Sequence, residues 1–488
     1  MKNKAIKRRA DKLVKHVPRK YWPTLIIVIS LIITACAFLW SGLAWLVFVS
    51  VIPFYIYFDR FAPSRNLKQT LFDFYLGGVI FSYIVLFWIA QADVSRWVTI
   101  GGLYEFIIKI VALSLCSLVF AGGFLIIGLG MYRLRRKPLI TFILLLPVLW
   151  ALSEIIRSYL FAIFTYGPGA SIEPNWNFGA LGLAAINSPL AFASRLVGLY
   201  GLTVLVLVIN GAIYLLIIKK TTLAAGLFVL AGGISLVGYV VLAPQPSVVP
   251  LHVAAIHIAN PDGSLIDSGV LPANIGNFNV VVMPEYSDYF SNPQNISDAA
   301  IRFGSRSTLI TSRIDTDVPK HNQLLVYDTA ADKTKTYDKQ FIIPSGETLP
   351  YTAIAYFKLT GHQGVISSFH DTQQVARGAN PLPVVRADNV FIGPSVCSSI
   401  MNPFYARLFK HQGARLLTNS ASLVFLAHAP TYHVQERYFL KYQAISSGLP
   451  LVHASRTGTT LIIDANGNIV ARSHSKSKIE VVSASLRL

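Results

Sequence analysis

One cysteine, one lysine and two glutamates in the second half of the sequence have the side-chain types that covalent catalysis requires. Cys397 follows an apolar run at 390–396 that is typical of a strand, and a helical pattern comes after it. A thiol at such a turn is exposed, and the amides at the start of a helix can lower its pKa or bind an oxyanion. Cys397 is therefore a candidate nucleophile.

Three charged residues are candidates to assist that nucleophile. Glu285 ends the hydrophobic run 280–284, where a partly buried carboxylate can have a raised pKa and act as a general base. Lys339 beside a thiolate could stabilise an oxyanion, and Glu347 could hold this lysine in place. Each residue taken alone also fits a simpler role: a small buried cysteine, a solvated turn carboxylate, a surface lysine and a loop glutamate.

Short strands are the elements that would position these residues. From about residue 248 onwards, runs rich in Val and Ile, such as 252–259 and 279–285, alternate with polar turns. Helical patterns at 398–412 and 434–447 lie between the strands, and the Ala465–Asn468 stretch is typical of a hairpin turn. These features predict one α/β or α+β domain at 248–488.

The first half of the sequence predicts a membrane domain of about seven helices at 23–244, after a basic N-terminus at 1–22. The chain is 53% hydrophobic and only 13% charged, whereas a soluble protein has about a quarter charged residues. The first apolar run is too long for a signal peptide and lacks a small-residue cleavage site, so we expect an uncleaved helix. The predicted spans are 23–40, 42–58, 71–91, 105–130, 139–161, 190–218 and 223–243.

The distribution of positive charge predicts the orientation in the membrane. Nine Lys and Arg residues lie in the first twenty, and further basic residues fall in alternate loops at 60–68, 133–137 and 219–220. The positive-inside rule then places the N-terminus in the cytoplasm and the domain after residue 244 outside. The net charge of +19 does not indicate nucleic-acid binding, because no aromatic–basic motif accompanies it.

Several motifs resemble the apolipoprotein N-acyltransferase family, a membrane-bound branch of the nitrilase, or carbon–nitrogen hydrolase, superfamily. Lys339-Gln-Phe-Ile-Ile-Pro-Ser-Gly-Glu347-Thr-Leu-Pro350 is similar to the family's Lys-x-x-Leu-Val-Pro-Phe-Gly-Glu-x-x-Pro. His321-Asn322 resembles its Tyr-Asn. Trp150-Ala-Leu-Ser-Glu154-Ile-Ile-Arg157 looks like its Trp-x-x-x-Glu-x-x-Arg in the membrane half.

The resemblance implies a nitrilase-like α-β-β-α sandwich and a Glu–Lys–Cys triad. Glu285 would be the general base, Lys339 the oxyanion donor, Cys397 the nucleophile and Glu347 a supporting carboxylate. The implied reaction moves a fatty acyl chain from a membrane phospholipid, through a Cys397 thioester, to the N-terminal amine of a diacylglyceryl-modified lipoprotein. It needs no metal or organic cofactor. We expect a monomer in the bilayer of a bacterial inner membrane.

The sequence departs from the family in ways that indicate a divergent member. Ser398 and Ser399 stand where the family has Tyr-Glu, and Gln443-Ala-Ile-Ser-Ser-Gly-Leu-Pro450 lacks the charged residues of the family's Arg-Ala-x-Glu-x-x-Arg-Pro. The family ends with an eighth membrane helix, whereas this sequence ends in polar residues at Leu488.

Three alternatives remain open from the sequence. A membrane-tethered amidase or nitrilase would use the same triad with water as the acceptor. A catalytically weakened binding homologue would not depend on Cys397. A transporter would carry ionisable groups deep in its spans, but here Lys109 is the main exception to nearly uncharged spans.

Overall fold

The structure is a computed structural model. It describes residues 19–95, 98, 102–243, 250–267, 269–315, 317–387, 390–474 and 478–488. The predicted basic N-terminus therefore lies mostly outside the described residues, as does the junction between the two predicted domains.

Helices make up the first half of the described chain. The α-helices are Trp22–Cys36, Ile52–Arg60, Leu67–Val85, Trp88–Gln91, Gly102–Ala121, Phe124–Leu134, Leu139–Phe164, Leu181–Ala184, Ser194–Ile217 and Thr221–Val240. Short 3-10 helices connect or precede them at Arg19–Tyr21, Ser41–Phe48, Ala62–Ser64, Ala185–Asn187 and Pro189–Ala193.

Six helical stretches of the described chain are long and apolar enough to cross a membrane. They are Ser41–Arg60, Leu67–Gln91, Gly102–Leu134, Leu139–Phe164, Pro189–Ile217 and Thr221–Val240. The first predicted span instead forms the 15-residue apolar helix Trp22–Cys36. At about 1.5 Å per residue this helix is shorter than a hydrocarbon core of about 30 Å. The predicted count of about seven is therefore six full-length spans and one shorter apolar helix.

Buried charges tie the membrane helices together. Asp73 accepts hydrogen bonds from Thr24, Tyr57 and Arg65, so one carboxylate joins three helical segments. Two more charged residues pair within the Leu139–Phe164 helix, where Arg157 lies 3.7 Å from Glu154. Because paired groups keep their charges compensated away from water, both clusters have a structural explanation.

The described residues of the second half form twelve strands in one sheet. They are β1 (Leu251–Ile258), β2 (Val280–Glu285), β3 (Thr308–Ile314), β4 (Asn322–Asp328), β5 (Lys333–Asp338), β6 (Val385–Ala387), β7 (Val390–Val396), β8 (Leu416–Ser422), β9 (Leu451–Arg456), β10 (Leu461–Ile463), β11 (Ile469–Arg472) and β12 (Ile479–Leu486). The order is β5-β4-β3-β2-β1-β9-β8-β7-β6, with β12 beside β1 and β10 between β9 and β11. The predicted hairpin turn does connect β10 with the antiparallel β11.

Helices connect the strands of this half. They are Pro293–Phe303, Tyr351–Leu359, Gln363–Thr372, Tyr405–His411 and Pro430–Ser447, with 3-10 helices at Tyr289–Ser291, Cys397–Met401 and Val424–Leu426.

The sheet curls so that its two halves enclose a common core. Between β1 and β9 only Ile258 and Arg456 pair in register. In β1 and β2, Val253 and Val280 point into the core shared with β7 to β9, whereas Ala254 points towards a second core that includes Phe303. Alternation of buried side chains along a strand places the sheet between two apolar layers. This is the α-β-β-α arrangement that the sequence predicted.

Polar contacts fasten the two halves of the molecule to each other. Arg195, at the start of a membrane helix, donates hydrogen bonds to the carbonyls of Ile445 and Ala465. Gln435, on the Pro430–Ser447 helix, donates to the carbonyl of Val85 in a membrane span. The sheet domain is therefore packed directly on the ends of the membrane helices.

Candidate active site

Three parallel strands bring the predicted site residues to one edge of the sheet. Glu285 is the last residue of β2, and Cys397 directly follows β7. Lys339 directly follows β5, which runs antiparallel to β4 and hence parallel to β3. Because the carboxyl ends of parallel strands lie at the same edge, residues far apart in sequence meet there.

The four predicted site residues lie together and are buried. Lys339 Nζ lies 2.9 Å from each carboxylate oxygen of Glu347 and 3.9 Å from Glu285 Oε1. Their exposed fractions are 1% for Lys339, 2% for Glu285, 5% for Glu347 and 7% for Cys397. Water is therefore largely excluded, which strengthens electrostatic interactions between these groups.

Asn322 joins the two glutamates, and the sequence did not assign it a role in the site. Its Nδ2 lies 2.7 Å from Glu285 Oε1 and 2.7 Å from Glu347 Oε1. The two donor hydrogens of one amide can therefore serve two carboxylates that would otherwise repel each other. In the sequence, Asn322 stood out only as part of the His321-Asn322 motif. A two-residue motif does not show which residues the asparagine contacts.

The backbone of Ser422 contacts both Glu285 and Cys397. Its N–H donates to Glu285 Oε2 at 3.0 Å, and its carbonyl lies 3.9 Å from Cys397 Sγ. Backbone groups leave no side-chain signature, so this contact could not be read from the sequence.

Burial and charge set the protonation of the site. Burial raises the pKa of the Glu285 carboxyl, and the charge of Lys339 and a hydrogen bond from Asn322 partly oppose this rise. Burial also raises the pKa of the Cys397 thiol well above its ordinary value, as does the nearby charge of Glu285. The pKa of Lys339 is raised, because the charges of Glu347 and Glu285 outweigh the lowering effect of burial. The resting site thus combines a neutral thiol, a carboxyl of increased basicity and a charged ammonium.

The backbone at the cysteine is strained. Cys397 has a φ of 50°, in the left-handed region that costs a residue with a side chain on the order of 1 kcal/mol or more. The turn comes between the extended Val396 and the 3-10 helix Cys397–Met401. The sequence predicted an exposed thiol at this turn, but Cys397 is buried, because residues of both halves enclose it.

An apolar cavity connects this thiol with the membrane helices. Its volume is about 210 Å³, and Cys397 and Ser398 form part of its wall. The remaining wall comes from both halves of the molecule and includes Trp88, Cys116, Phe161, Trp176, Phe425 and Tyr432. The thiol therefore borders an apolar space that membrane helices help to enclose.

Other polar residues that could do chemistry lie outside this cluster. His433 lies within the Pro430–Ser447 helix, where its Nδ1 is 3.5 Å from Glu436 Oε2. Asp315, His321 and Asp338 each offer one possible metal-ligand atom, and these atoms lie within 4.8 Å of one another. His321 is also 3.5 Å from Asp315, so an ion pair explains part of this proximity.

Comparison with known proteins covers both halves of the chain. A family model described as "Apolipoprotein N-acyltransferase N-terminal domain" matches residues 30–212, and one described as "Carbon-nitrogen hydrolase" matches residues 249–488. The apolipoprotein N-acyltransferase of Shewanella oneidensis is 24% identical over 70% of this chain and 68% of its own length. That of Coxiella burnetii is 22% identical over 82% of this chain and 80% of its own length.

Solved structures also match the second half. The crystal structure of a carbon–nitrogen hydrolase from Helicobacter pylori aligns with a TM-score of 0.35 and 15% identity, over 49% of this chain and 89% of that one. Nit3 of Saccharomyces cerevisiae aligns with a TM-score of 0.35 and 14% identity, over 50% and 93%. The two family models match adjoining parts in the same order as the membrane and sheet halves, and the relatives span most of the chain. The chain therefore belongs to the apolipoprotein N-acyltransferase family, as a divergent member.

Proposed function

We propose that this protein transfers a fatty acyl chain from a membrane phospholipid to the N-terminal amine of a diacylglyceryl-modified lipoprotein. The observation that carries the proposal is the apolar cavity, because it connects membrane helices with a cysteine beside a buried carboxylate and ammonium. Its relatives are named for the same activity. The reaction has two halves joined by a thioester on Cys397.

The first half-reaction forms the thioester. Glu285 takes the thiol proton as Cys397 Sγ attacks an ester carbonyl of the phospholipid, which avoids a free thiolate in a buried site. Lys339 Nζ and the backbone amide of Ser398 stabilise the oxyanion of the tetrahedral intermediate. The carbon–oxygen bond then breaks, and the proton on Glu285 passes to the departing lysophospholipid oxygen.

The second half-reaction releases the acyl chain to the acceptor. The neutral amine of the lipoprotein attacks the thioester carbonyl, and Glu285 takes one amine proton. The carbon–sulfur bond breaks, the sulfur recovers that proton, and an amide product remains. One covalent intermediate shared by two substrates requires ping-pong kinetics, so kinetics that require both substrates bound at once would contradict this scheme.

The charge of the loops supports a placement in the bacterial membrane. Basic residues at 60–68, 133–137 and 219–220 alternate with loops that have few of them. We propose that these basic loops face the cytoplasm and that the sheet domain lies outside the inner membrane. The cavity would then receive acyl chains from the outer leaflet.

Mass spectrometry of the full-length protein after incubation with phospholipid vesicles tests the proposal. We expect an added fatty-acyl mass on the Cys397 peptide that hydroxylamine removes, together with free lysophospholipid. Cys397→Ala should abolish the adduct. Cys116→Ala is the matched control, because Cys116 lines the same cavity but belongs to the membrane helix Gly102–Ala121, and it should leave the adduct intact. Absence of any adduct on the folded wild-type protein would contradict the proposal.

An acceptor assay separates transfer from hydrolysis. After thioester formation, a peptide with a diacylglyceryl-modified N-terminal cysteine should gain the acyl chain as an amide. Release of free fatty acid alone, with no acylated peptide, would favour a membrane-tethered hydrolase that uses the same residues.

A further inference from the structure

We propose that Lys109 binds the phosphodiester of the donor phospholipid inside the cavity that ends at Cys397. The inference rests on the proposed function, since it assigns a contact to the donor of the first half-reaction. It also assigns a role to a charged residue of a membrane helix.

The position of Lys109 in the wall of the cavity is unusual. It lies in the Gly102–Ala121 helix, which is part of the candidate membrane span Gly102–Leu134. Among the described residues that form the cavity wall, Lys109 is the only one with a formal charge. A charged side chain in a membrane helix is costly and is usually retained for a function. A purely apolar ligand would give no reason for an ammonium at this place.

The partner of Lys109 leaves its ammonium able to bind an anion. Lys109 Nζ donates to Glu105 Oε1 at 3.0 Å, which uses one of its three donor hydrogens. Glu105 is one helical turn nearer to the start of the helix and is not part of the cavity wall. Lys109 itself lines the cavity, and its ammonium keeps two donor hydrogens beyond the one that Glu105 accepts.

The chemistry of a phospholipid fits this arrangement. Only the glycerol carbons separate an acyl ester from the phosphate, so a molecule with its ester at Cys397 must place its phosphate in or beside the same cavity. Lys109 lies seven residues after Gly102, about 10 Å along the helix axis. A lysine near a helix end can extend its ammonium towards the membrane surface, where phosphates lie. Lys109 thus fixes the headgroup while the acyl chains occupy the apolar walls.

This inference is tested with two acyl donors, one with a phosphate group and one without. The acylation rate constant of Cys397 in the full-length protein is measured by mass spectrometry with phosphatidylglycerol and with 4-nitrophenyl palmitate, which has no phosphate. Lys109→Met keeps a long side chain but loses the charge. We expect the ratio of the two rate constants to fall about tenfold, because hydrogen bonds to charged groups contribute on that scale.

Control variants make the outcome specific. Lys109→Arg should keep the ratio within about threefold of wild type, since guanidinium also binds phosphate. Lys220→Met removes an exposed lysine at the start of another membrane helix, and it should not change the ratio. An unchanged ratio in Lys109→Met, or an equal fall in Lys220→Met, would overturn the inference. A wild-type protein that acylates Cys397 from neither donor would instead overturn the proposed function.

Discussion

At the scale of single residues, the site depends on one cation that is shared by two carboxylates. Lys339 contacts Glu347 through both carboxylate oxygens and Glu285 at a longer distance. Glu347 therefore holds the ammonium in place, and Glu285 remains nearer to the thiol chemistry. Asn322 compensates the excess negative charge by donating to both glutamates. This division of roles explains why two glutamates of the same type can act differently.

The pKa of Glu285 should respond to its two neighbours in opposite directions. Asn322→Leu removes a hydrogen bond that stabilises the ionised carboxylate, so the pKa of Glu285 rises further. Glu347→Gln removes a like charge that favours the protonated form, so the pKa of Glu285 falls. If Glu285 is the base, as we propose, it must be ionised to accept the thiol proton. The acidic limb of the rate–pH profile should then move to higher pH in Asn322→Leu and to lower pH in Glu347→Gln.

Single-turnover acylation of Cys397 across a range of pH values measures this shift even where the rate is low. Glu347→Gln should also slow the reaction about a hundredfold or more, since Lys339 loses its main partner in a buried site. A shift of both variants in the same direction would refute the assignment of Glu285 as the base.

At the scale of elements, the strands were more predictable than the helices around the site. The apolar runs before Glu285 and Cys397 have the length and composition of buried strands, and β2 and β7 end where those runs end. The predicted helix at 398–412 is instead a 3-10 turn followed by the shorter helix Tyr405–His411. Pro403 explains the break, because a residue before proline disfavours the α conformation.

The helix pair Tyr351–Leu359 and Gln363–Thr372 was not predicted at all. Its apolar residues pack against the segment around Val98 and Ile108 in the membrane half. The first helix of the pair contributes Tyr356 and Phe357 to the wall of the cavity. The periodicity of one short segment does not reveal a partner that is more than 200 residues away, so tertiary contacts decided this structure.

Arg195 fastens a membrane helix to the sheet domain, and its removal should loosen the interface. Its guanidinium donates to the carbonyls of Ile445 and Ala465 and to the side chain of Asn466. Arg195→Ala leaves the buried carbonyl of Ile445 and two partly buried acceptors without their donor, which should lower the free energy of unfolding by about 2–4 kcal/mol. Thermal unfolding in detergent micelles should show a lower melting temperature.

Arg415→Ala is the control for this change. Arg415 donates to the carbonyl of Leu488 at an exposed position within the sheet domain, and exposed changes of this kind usually cost less than about 0.5 kcal/mol. Equal melting temperatures for the two variants would show that the Arg195 contacts do not hold the halves together.

At the scale of the whole molecule, the cavity explains why the two halves belong to one chain. Its wall takes residues from the membrane helices and from the segments that follow β5, β7 and β8. The sequence predicted both halves, their order and the residues at the strand ends, because each leaves a local pattern. The cavity itself left no such pattern, since residues from Trp88 to Tyr432 come together only in the folded molecule.

If this cavity holds the acyl chain, the length of the cavity should determine which acyl-chain length the protein prefers in its donor. Ala112 lies in the cavity wall on the Gly102–Ala121 helix, and Ala112→Trp places a large ring where the chain would extend. Each methylene that no longer fits costs on the order of 1 kcal/mol. The rate of Cys397 acylation should therefore fall about tenfold or more with a sixteen-carbon donor relative to an eight-carbon donor.

Leu118→Trp, at an exposed position on the same helix, should leave that ratio unchanged. An equal loss with both chain lengths in Ala112→Trp would indicate damage to the fold, and an unchanged ratio in a folded variant would place the acyl chain outside this cavity.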